Sequence, residues 1–173
     1  MIELAKKNAE SQNISINFRV SDFKFLSKNN NKSYDAILCM GNSLSHILTD
    51  NDLLKSLKEM HQVLNKNKIL VLHIRNYEKL LNEKKRFFTY KNNHDIFFYV
   101  WDFEPKKIVN IINYDLKTDQ TNTCSFEYNP ILKTHLEDFF KKSGFKNLQF
   151  FGNNQFKEFD INQDDDLLVV CQK

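Results

Sequence analysis

The chain has 173 residues, of which 41% are hydrophobic, and a formal net charge of +3 from 25 basic and 22 acidic side chains. This size and composition suit one folded domain with a sizeable core and exclude a mainly disordered chain. The basic residues occur in short, scattered runs, which argues against a nucleic-acid partner. No apolar run approaches the roughly 20 residues that span a bilayer, so we expect no membrane segment. Three cysteines without a CxxC spacing indicate a reducing, cytoplasmic location.

The first half of the chain predicts alternating helices and strands. The predicted elements are a helix over residues 1–10, a strand over 14–20, a turn over 28–32, a buried strand over 34–40, a helix over 50–64, a turn over 65–68, a buried strand over 69–74 and a helix over 77–83. Thr49 or Asp50 can cap the long helix. A strand–helix–strand order of this kind predicts parallel strands.

In the second half of the chain the spacing of apolar residues changes to one typical of strands. Four strand-like runs separated by turn residues predict an antiparallel meander over residues 87–90, 96–103, 108–115 and 123–128. A helix over 133–143, with Gly144 as its C-cap, precedes two last strands over 146–151 and 167–171. We expect the meander to cover one end of the parallel sheet.

Glycine is scarce, with only three residues, at positions 41, 144 and 152. A loop that cradles a phosphate or nucleotide needs clustered glycines for left-handed backbone and close approach. The sequence contains no such cluster.

Two segments carry a family resemblance. Residues 38–47 read LCMGNSLSHI and residues 71–81 read VLHIRNYEKLL. In this order and spacing they resemble the glycine and sarcosine N-methyltransferases, a group of class I S-adenosylmethionine-dependent methyltransferases. The second motif differs by one extra residue, Ile74. The resemblance implies an α/β fold with a Rossmann-like methyltransferase sheet, N-terminally truncated, and an antiparallel β-meander insertion. Residues 1–86 and 129–173 would form the core, and residues 87–128 the insertion that caps the active-site end.

The resemblance also implies a cofactor, S-adenosylmethionine, as methyl donor. Asp22, at the end of a predicted strand, would bond the adenine amino group, and Phe23 would lie beside the ring. The backbone at Met40, Gly41 and Asn42 would face the methionine part.

The acceptor side follows partly from chemistry. Both motifs lie after the predicted carboxyl ends of parallel strands, where α/β sheets bind ligands. Asn42 offers an amide to a substrate amine or carboxylate, and Arg75 offers a planar fork for a carboxylate. The resemblance adds five further substrate-binding candidates, which are Ser43, His46, Tyr77, Tyr90 and Tyr128. We expect a small-molecule acceptor, an amine or amino acid, with no metal and no assigned catalytic acid or base.

Simpler interpretations stay open for several of these residues. Asp22 suits an ordinary turn, His46 a helix end, and His73 a satisfied position inside a strand. Arg75 could pair with Glu78 or another acid. The aspartates at 164–166 suit a solvated turn better than a calcium loop. The aromatic residues within 97–103 suit burial on both strand faces or an oligomer contact.

The family's glycine loop and ribose-binding acid have no counterpart in this sequence, since residues 1–5 resemble the helix after the second strand. Three explanations are open. The sequence is a fragment or a late-start reading of a longer gene, a second chain supplies the strands, or residues 14–20 pair directly with 34–40. The functional alternative to an enzyme is a non-catalytic, truncated methyltransferase-like subunit that acts as a binding or dimerisation partner, including as a homo-oligomer.

Overall fold

The computed structural model describes residues 2–28, 32–105, 107–152 and 155–173. The helices are α1 (Ile2–Ser11), α2 (Asp50–Val63), α3 (Tyr77–Glu83) and α4 (Lys133–Lys142). The strands are β1 (Tyr34–Cys39), β2 (Leu64–Arg75), β3 (Phe87–Lys91), β4 (Asp95–Asp102), β5 (Ile108–Asp115), β6 (Gln120–Glu127), β7 (Lys146–Phe151) and β8 (Asp166–Gln172). Two short 3₁₀ helices, Phe23–Phe25 and Ser43–His46, follow residues that the sequence marks as candidates for the site.

The first sheet has the strand order β1-β2-β8-β7. β1 and β2 are parallel and are connected through α2, as the strand–helix–strand pattern predicts. β8 runs antiparallel to β2, and β7 antiparallel to β8. The core lies between this sheet and the helices α2 and α4, where Leu57, Leu72, Leu136, Phe140 and Val169 are fully buried.

α2 forms because its capping and its apolar spacing agree. The Thr49 hydroxyl accepts a hydrogen bond from the Asp52 N–H and so satisfies one free donor of the first turn. Leu53, Leu57 and Met60 follow at intervals of three or four residues and are all buried. The helix therefore presents one apolar face to the first sheet and fixes the loop before it, where the site begins.

The second sheet is the antiparallel meander β3-β4-β5-β6. It has a separate small core in which Trp101 and Val109 of the sheet pack with Tyr77 and Leu80 of α3. Because α3 directly follows β2, this packing holds the meander next to the carboxyl end of β2.

One predicted strand is wrong. Residues 14–20 run without strand pairing, and Ile14, Ile16 and Val20 are exposed. The alternating polarity of this segment is suited to a strand, but a strand also needs a hydrogen-bonding neighbour. Direct pairing of this segment with residues 34–40 is therefore not the arrangement that the fold adopts.

The second difference concerns β1, which the sequence predicts to be buried. β1 has β2 as its neighbour on one side and lies at the edge of the sheet. Leu38 is 68% exposed and Met40 is 44% exposed. An apolar run indicates burial only when both sides of the strand are covered, so the prediction of burial fails here.

The predicted turn at 65–68 lies inside β2 as an irregularity. Leu64 pairs with Tyr34 and Ile69 with Ala36, and Asn67 between them has a left-handed backbone. The predicted turn at 28–32 falls largely outside the described residues. Within the described part of the chain, the helices are too short or too polar to cross a bilayer.

Candidate functional site

The loop after β1 starts with two consecutive left-handed residues. Gly41 has φ +70° and Asn42 has φ +63°. Glycine and asparagine tolerate this backbone better than other residues do. The turn directs the chain away from the sheet into the 3₁₀ helix Ser43–His46, at the carboxyl edge of β1.

The Asn42 side chain holds this loop to the neighbouring strand end. Its Oδ1 accepts hydrogen bonds from the Arg75 N–H at 3.1 Å and from the Ser45 hydroxyl at 3.0 Å. Its Nδ2 donates to the Tyr77 hydroxyl at 2.9 Å, and Tyr77 is 1% exposed. The amide is thus committed to protein groups, and its position fixes the backbone of both motifs relative to each other.

His73 provides a second link. Its Nδ1 accepts a hydrogen bond from the Gly41 N–H at 3.2 Å, and its carbonyl accepts one from the Asn42 N–H at 3.1 Å. On the other side of the ring, Nε2 lies 3.6 Å from Asp166 Oδ1. The facing imidazole lowers the pKa of the Asp166 carboxyl, against the opposing effect of burial. His73 is therefore a satisfied strand residue, one of the two interpretations that its sequence position allows.

The first cleft of the site lies between the two 3₁₀ helices. It encloses about 410 Å³ and brings together Asp22, Phe23, Ser43 and His46. Ile47, Leu48 and Thr49 complete its walls. Asp22 caps its 3₁₀ helix through Oδ1, which accepts a hydrogen bond from the Lys24 N–H at 2.8 Å. We name this space the Asp22 cleft.

The second cleft lies between the end of β2 and the meander. It encloses about 360 Å³ and is lined by Arg75, Phe88, Thr89, Tyr90, Tyr99 and Trp101. Within the described residues no carboxylate lies within ion-pair distance of the Arg75 guanidinium. We name this space the Arg75 cleft.

Glu78, the acid that the sequence offers as a partner for Arg75, has another role. Its Oε1 accepts the Lys133 N–H at 2.5 Å and so caps α4, which has no side-chain cap of its own. The pairing of Arg75 with Glu78 is therefore not present in the fold.

Aromatic rings separate the two clefts. The Tyr128 ring lies between His46 of the Asp22 cleft, at a centroid distance of 4.7 Å, and Trp101 of the Arg75 cleft, at 5.6 Å. Burial raises the pKa of the Tyr128 hydroxyl and that of the Tyr77 hydroxyl. Both hydroxyls therefore stay neutral and protonated near pH 7.

Known proteins resemble this chain in sequence and in structure. A family profile described as "Methyltransferase domain" matches residues 1–67. The glycine/sarcosine N-methyltransferase of Parasynechococcus marenigrum (strain WH8102) is 36% identical over 81 residues, 47% of this chain and 29% of that protein. The glycine/sarcosine N-methyltransferase of Aphanothece halophytica is 24% identical over 159 residues, 90% of this chain and 58% of that protein.

A solved structure extends the likeness to the fold. The S-adenosylmethionine-dependent methyltransferase from Clostridium acetobutylicum ATCC 824 superposes with a TM-score of 0.80 at 18% identity, over 99% of this chain and 70% of that chain. This chain is thus similar in sequence to glycine/sarcosine N-methyltransferases and in fold to an S-adenosylmethionine-dependent methyltransferase. The resemblance drawn from the two motifs is thereby confirmed, as is the methyltransferase-like α/β fold with its antiparallel second sheet. The chain spans 58% or less of the length of these two curated relatives.

The fold distributes the remaining predicted site residues unevenly. Tyr90 reaches the Arg75 cleft, while Met40 is exposed at the end of β1. The Met40 carbonyl accepts the Ser43 hydroxyl, and the Gly41 N–H is bonded to His73. These backbone groups therefore hold the loop in shape.

The meander contributes residues that the motifs do not reveal. The walls of the Arg75 cleft include Phe88, Tyr99 and Trp101, of which Tyr99 and Trp101 belong to the aromatic segment that the sequence assigns to burial or an oligomer contact. Their spacing of two residues places them on one face of β4, and this alternation is the signal that marks them.

The three aspartates near the end of the chain each have a local partner. Asp164 accepts the Asp160 N–H at 2.7 Å, Asp165 pairs with Lys79 at 2.8 Å, and Asp166 faces His73. The loop is further held by Asn76, whose Nδ2 donates to two of its carbonyls. These contacts attach the loop before β8 to the start of α3, next to the site.

Proposed function

We propose that the chain serves S-adenosylmethionine-dependent methyl transfer to a small-molecule acceptor, an amine or amino acid. The observation that carries the proposal is the pair of clefts at the carboxyl ends of β1 and β2. One holds Asp22 beside apolar side chains and the other holds Arg75 beside aromatic rings, and the His46, Tyr128 and Trp101 rings lie between them. The kinship with methyltransferases supports the same interpretation.

The Asp22 cleft suits the adenosine part of the donor. Phe23, Ile47 and Leu48 supply apolar surface for a ring, and a volume of about 410 Å³ lies within the usual range of ligand sites. With Oδ1 of Asp22 used in the cap, Oδ2 has no hydrogen bond to the described residues and can accept one from the adenine amino group. These residues therefore fit the cofactor.

The Arg75 cleft suits the acceptor. The bound donor supplies an electrophilic methyl group on a sulfonium, and its transfer is an in-line displacement that depends chiefly on positioning. Arg75 can hold a carboxylate of the acceptor, and the neutral hydroxyl of Tyr128 can orient it. Asn42 contributes by fixing both loops, while the amine nucleophile reacts in its unprotonated form.

The meander acts in this proposal as the cap over the acceptor end. β3 and β4 supply the aromatic wall of the Arg75 cleft, and they are anchored to α3 by the buried Trp101 and Tyr77. The division into a core of residues 1–86 and 129–173 and an insertion of residues 87–128 follows from the same assignment. A cytoplasmic setting suits the three free cysteines.

Calorimetric titration with S-adenosylhomocysteine tests the donor assignment. Asp22→Asn keeps an oxygen for the cap but turns the other oxygen into an NH₂ group, which would face the adenine amino group donor to donor. We expect saturable binding, weakened by about tenfold in Asp22→Asn and unchanged in Asp35→Asn at the opposite end of β1. The proposal would be refuted if no binding were detected, either with this chain alone or with a second chain that supplies a strand beside β1.

A second candidate role is favoured by the open edge of β1. Beside it lies a groove of about 510 Å³, lined by Val20, Tyr34 and Ile37 among others, and Leu38 projects from the edge strand. Exposed apolar edges of this kind are templates for pairing with another strand. We propose that a second chain or a second copy of this chain completes the sheet here.

Light scattering after size exclusion tests this second role. We expect a mass above that of the monomer, or a stable complex with a co-expressed strand-donating chain. Leu38→Lys should abolish that association, whereas Leu4→Lys on the exposed surface of α1 should not. A monomer at all concentrations that also binds S-adenosylhomocysteine would contradict it.

A further inference from the structure

The Arg75 cleft carries information about the acceptor that the kinship with glycine and sarcosine N-methyltransferases does not supply. Its walls are aromatic on one side and cationic on the other. The aromatic wall has a simple origin, since Phe88 of β3 pairs directly with Tyr99 of β4. Tyr90 and Trp101 lie two residues further along these strands and therefore share the same face. Four rings thus face one space.

Arg75 is the one charged residue among the six that line the cleft, and Asp166, which pairs with it across β2 and β8, is not among them. Arg75 is half-buried, and its backbone is fixed by the bond from its N–H to Asn42. None of the six lining residues is acidic. Lys85 lies over the outer surface of Phe88, with its Nζ 5.0 Å from the ring centroid, and adds to the positive potential. The cleft therefore favours an anion over a cation.

The cleft is larger than the smallest amino acid can fill. A volume of about 360 Å³ lies at the lower end of sites that enclose whole organic ligands, and most of its walls are rings. A glycine carboxylate on Arg75 would leave the surfaces of Phe88, Tyr90 and Tyr99 in contact with water. Covering these surfaces needs an apolar body of about the size of one ring.

We propose that the Arg75 cleft binds an aromatic carboxylate, with the carboxylate on the Arg75 guanidinium and the ring against Phe88, Tyr90 and Tyr99. As the acceptor site of the proposed function, on which this last step rests, it selects an amino acid with an aromatic side chain over glycine. A trimethylammonium carboxylate could also contact rings, but none of the six residues that line the cleft is an acid that would balance its cation.

The single tryptophan of the chain makes the proposal testable without any methyl transfer. Trp101 lines the cleft, so its emission reports on occupancy directly. Phenylacetate, L-phenylalanine, glycine and trimethylglycine are titrated separately. We expect saturable changes with phenylacetate and L-phenylalanine, and dissociation constants at least about tenfold higher for the other two probes.

Variants locate the binding. Arg75→Gln should weaken phenylacetate binding by about tenfold or more, and Arg75→Lys by less, since lysine keeps the charge but not the fork. Arg19→Gln, the same change at the groove beside β1, is the matched control and should bind like the parent. Circular dichroism and the thermal midpoint identify any variant that fails to fold, in which case Tyr99→Leu replaces it as the test of the aromatic wall.

Three results would overturn the proposal: no saturable response to phenylacetate, equal or tighter binding of glycine or trimethylglycine, or unchanged affinity in both Arg75→Gln and Tyr99→Leu. The phenylacetate experiment tests the Arg75 cleft independently of whether the Asp22 cleft binds the methyl donor. Phenylacetate binding without S-adenosylhomocysteine binding would retain the aromatic-carboxylate site and remove the methyl-transfer role.

Discussion

The hydrogen-bonded pair of Asn42 and Tyr77 is the connection that holds the two motif loops together, and a double-mutant cycle measures it. Tyr77→Phe removes only the hydroxyl, and Asn42→Gly removes the amide while accepting the φ of +63° without strain. The backbone effects of glycine occur in both arms of the cycle and cancel.

The magnitude follows from the burial of Tyr77. Tyr77 is 1% exposed, and its hydroxyl lies 2.9 Å from Asn42 Nδ2 and 3.3 Å from Oδ1. Removing the hydroxyl loses a net hydrogen bond of about 1 kcal/mol and leaves the partly buried Nδ2 donor of Asn42 unpaired, for a total loss of about 2 kcal/mol. In the Asn42→Gly background no amide remains to be stranded, so the same change should cost about 0.5 kcal/mol or less. The expected coupling energy is about 1.5 kcal/mol.

Urea unfolding of the four proteins gives the four free energies. The emission of Trp101, which packs in the same cluster as Tyr77, and far-UV circular dichroism should report coincident transitions. If the two changes add to within about 0.5 kcal/mol, the pair is uncoupled, and the explanation of how the loops are held together is wrong.

Four further predictions concern stability and thiol chemistry. Thr49→Ala should lower the free energy of unfolding by about 1 kcal/mol through loss of the α2 cap, and Thr49→Ser should retain it. Gly144→Ala should lower it by about 1–2 kcal/mol, because φ is +94° and the new Cβ would lie 3.0 Å from a neighbouring imidazole nitrogen; a neutral result would contradict the geometry. Burial raises the pKa of Cys39 to about 11 and that of Cys171 to about 12, so a disulfide reagent at pH 8 should modify only Cys124 until the chain is unfolded. Because these two pKa values exceed the unfolded value of about 8.5, stability should fall as pH rises above that value, and a flat unfolding profile between pH 8 and 10 would contradict this.

Much of the element order could be predicted because local signals and packing agree. α2 has its cap at Thr49 and its apolar residues at helical spacing, and the meander has turn residues between alternating runs. The predictions fail where the structure of a segment depends on whether a neighbouring strand is present. Residues 14–20 have a strand pattern without strand pairing, and β1 has an apolar run with one strand beside it.

The site was predictable at the level of motifs and not at the level of contacts. The sequence places Asn42 and Arg75 after two parallel strands, and the fold brings their loops together. It does not show that the Asn42 amide is committed to Tyr77 and Ser45, because these bonds depend on the relative position of β1 and α3. The rings opposite Arg75 belong to β3 and β4. No local sequence pattern specifies that these strands pack next to the end of β2.

In the proposed function, the two 3₁₀ helices Phe23–Phe25 and Ser43–His46 and the residues before them bind the adenosyl donor. A ¹H–¹⁵N correlation spectrum of the chain titrated with S-adenosylhomocysteine tests it residue by residue, and it detects weak binding as well as tight binding. We predict that the shifted amides cluster at Phe23, Lys24, Ser43 and His46 around the Asp22 cleft. No shifts at millimolar ligand, or shifts confined to the outer strands of the meander, would contradict the account.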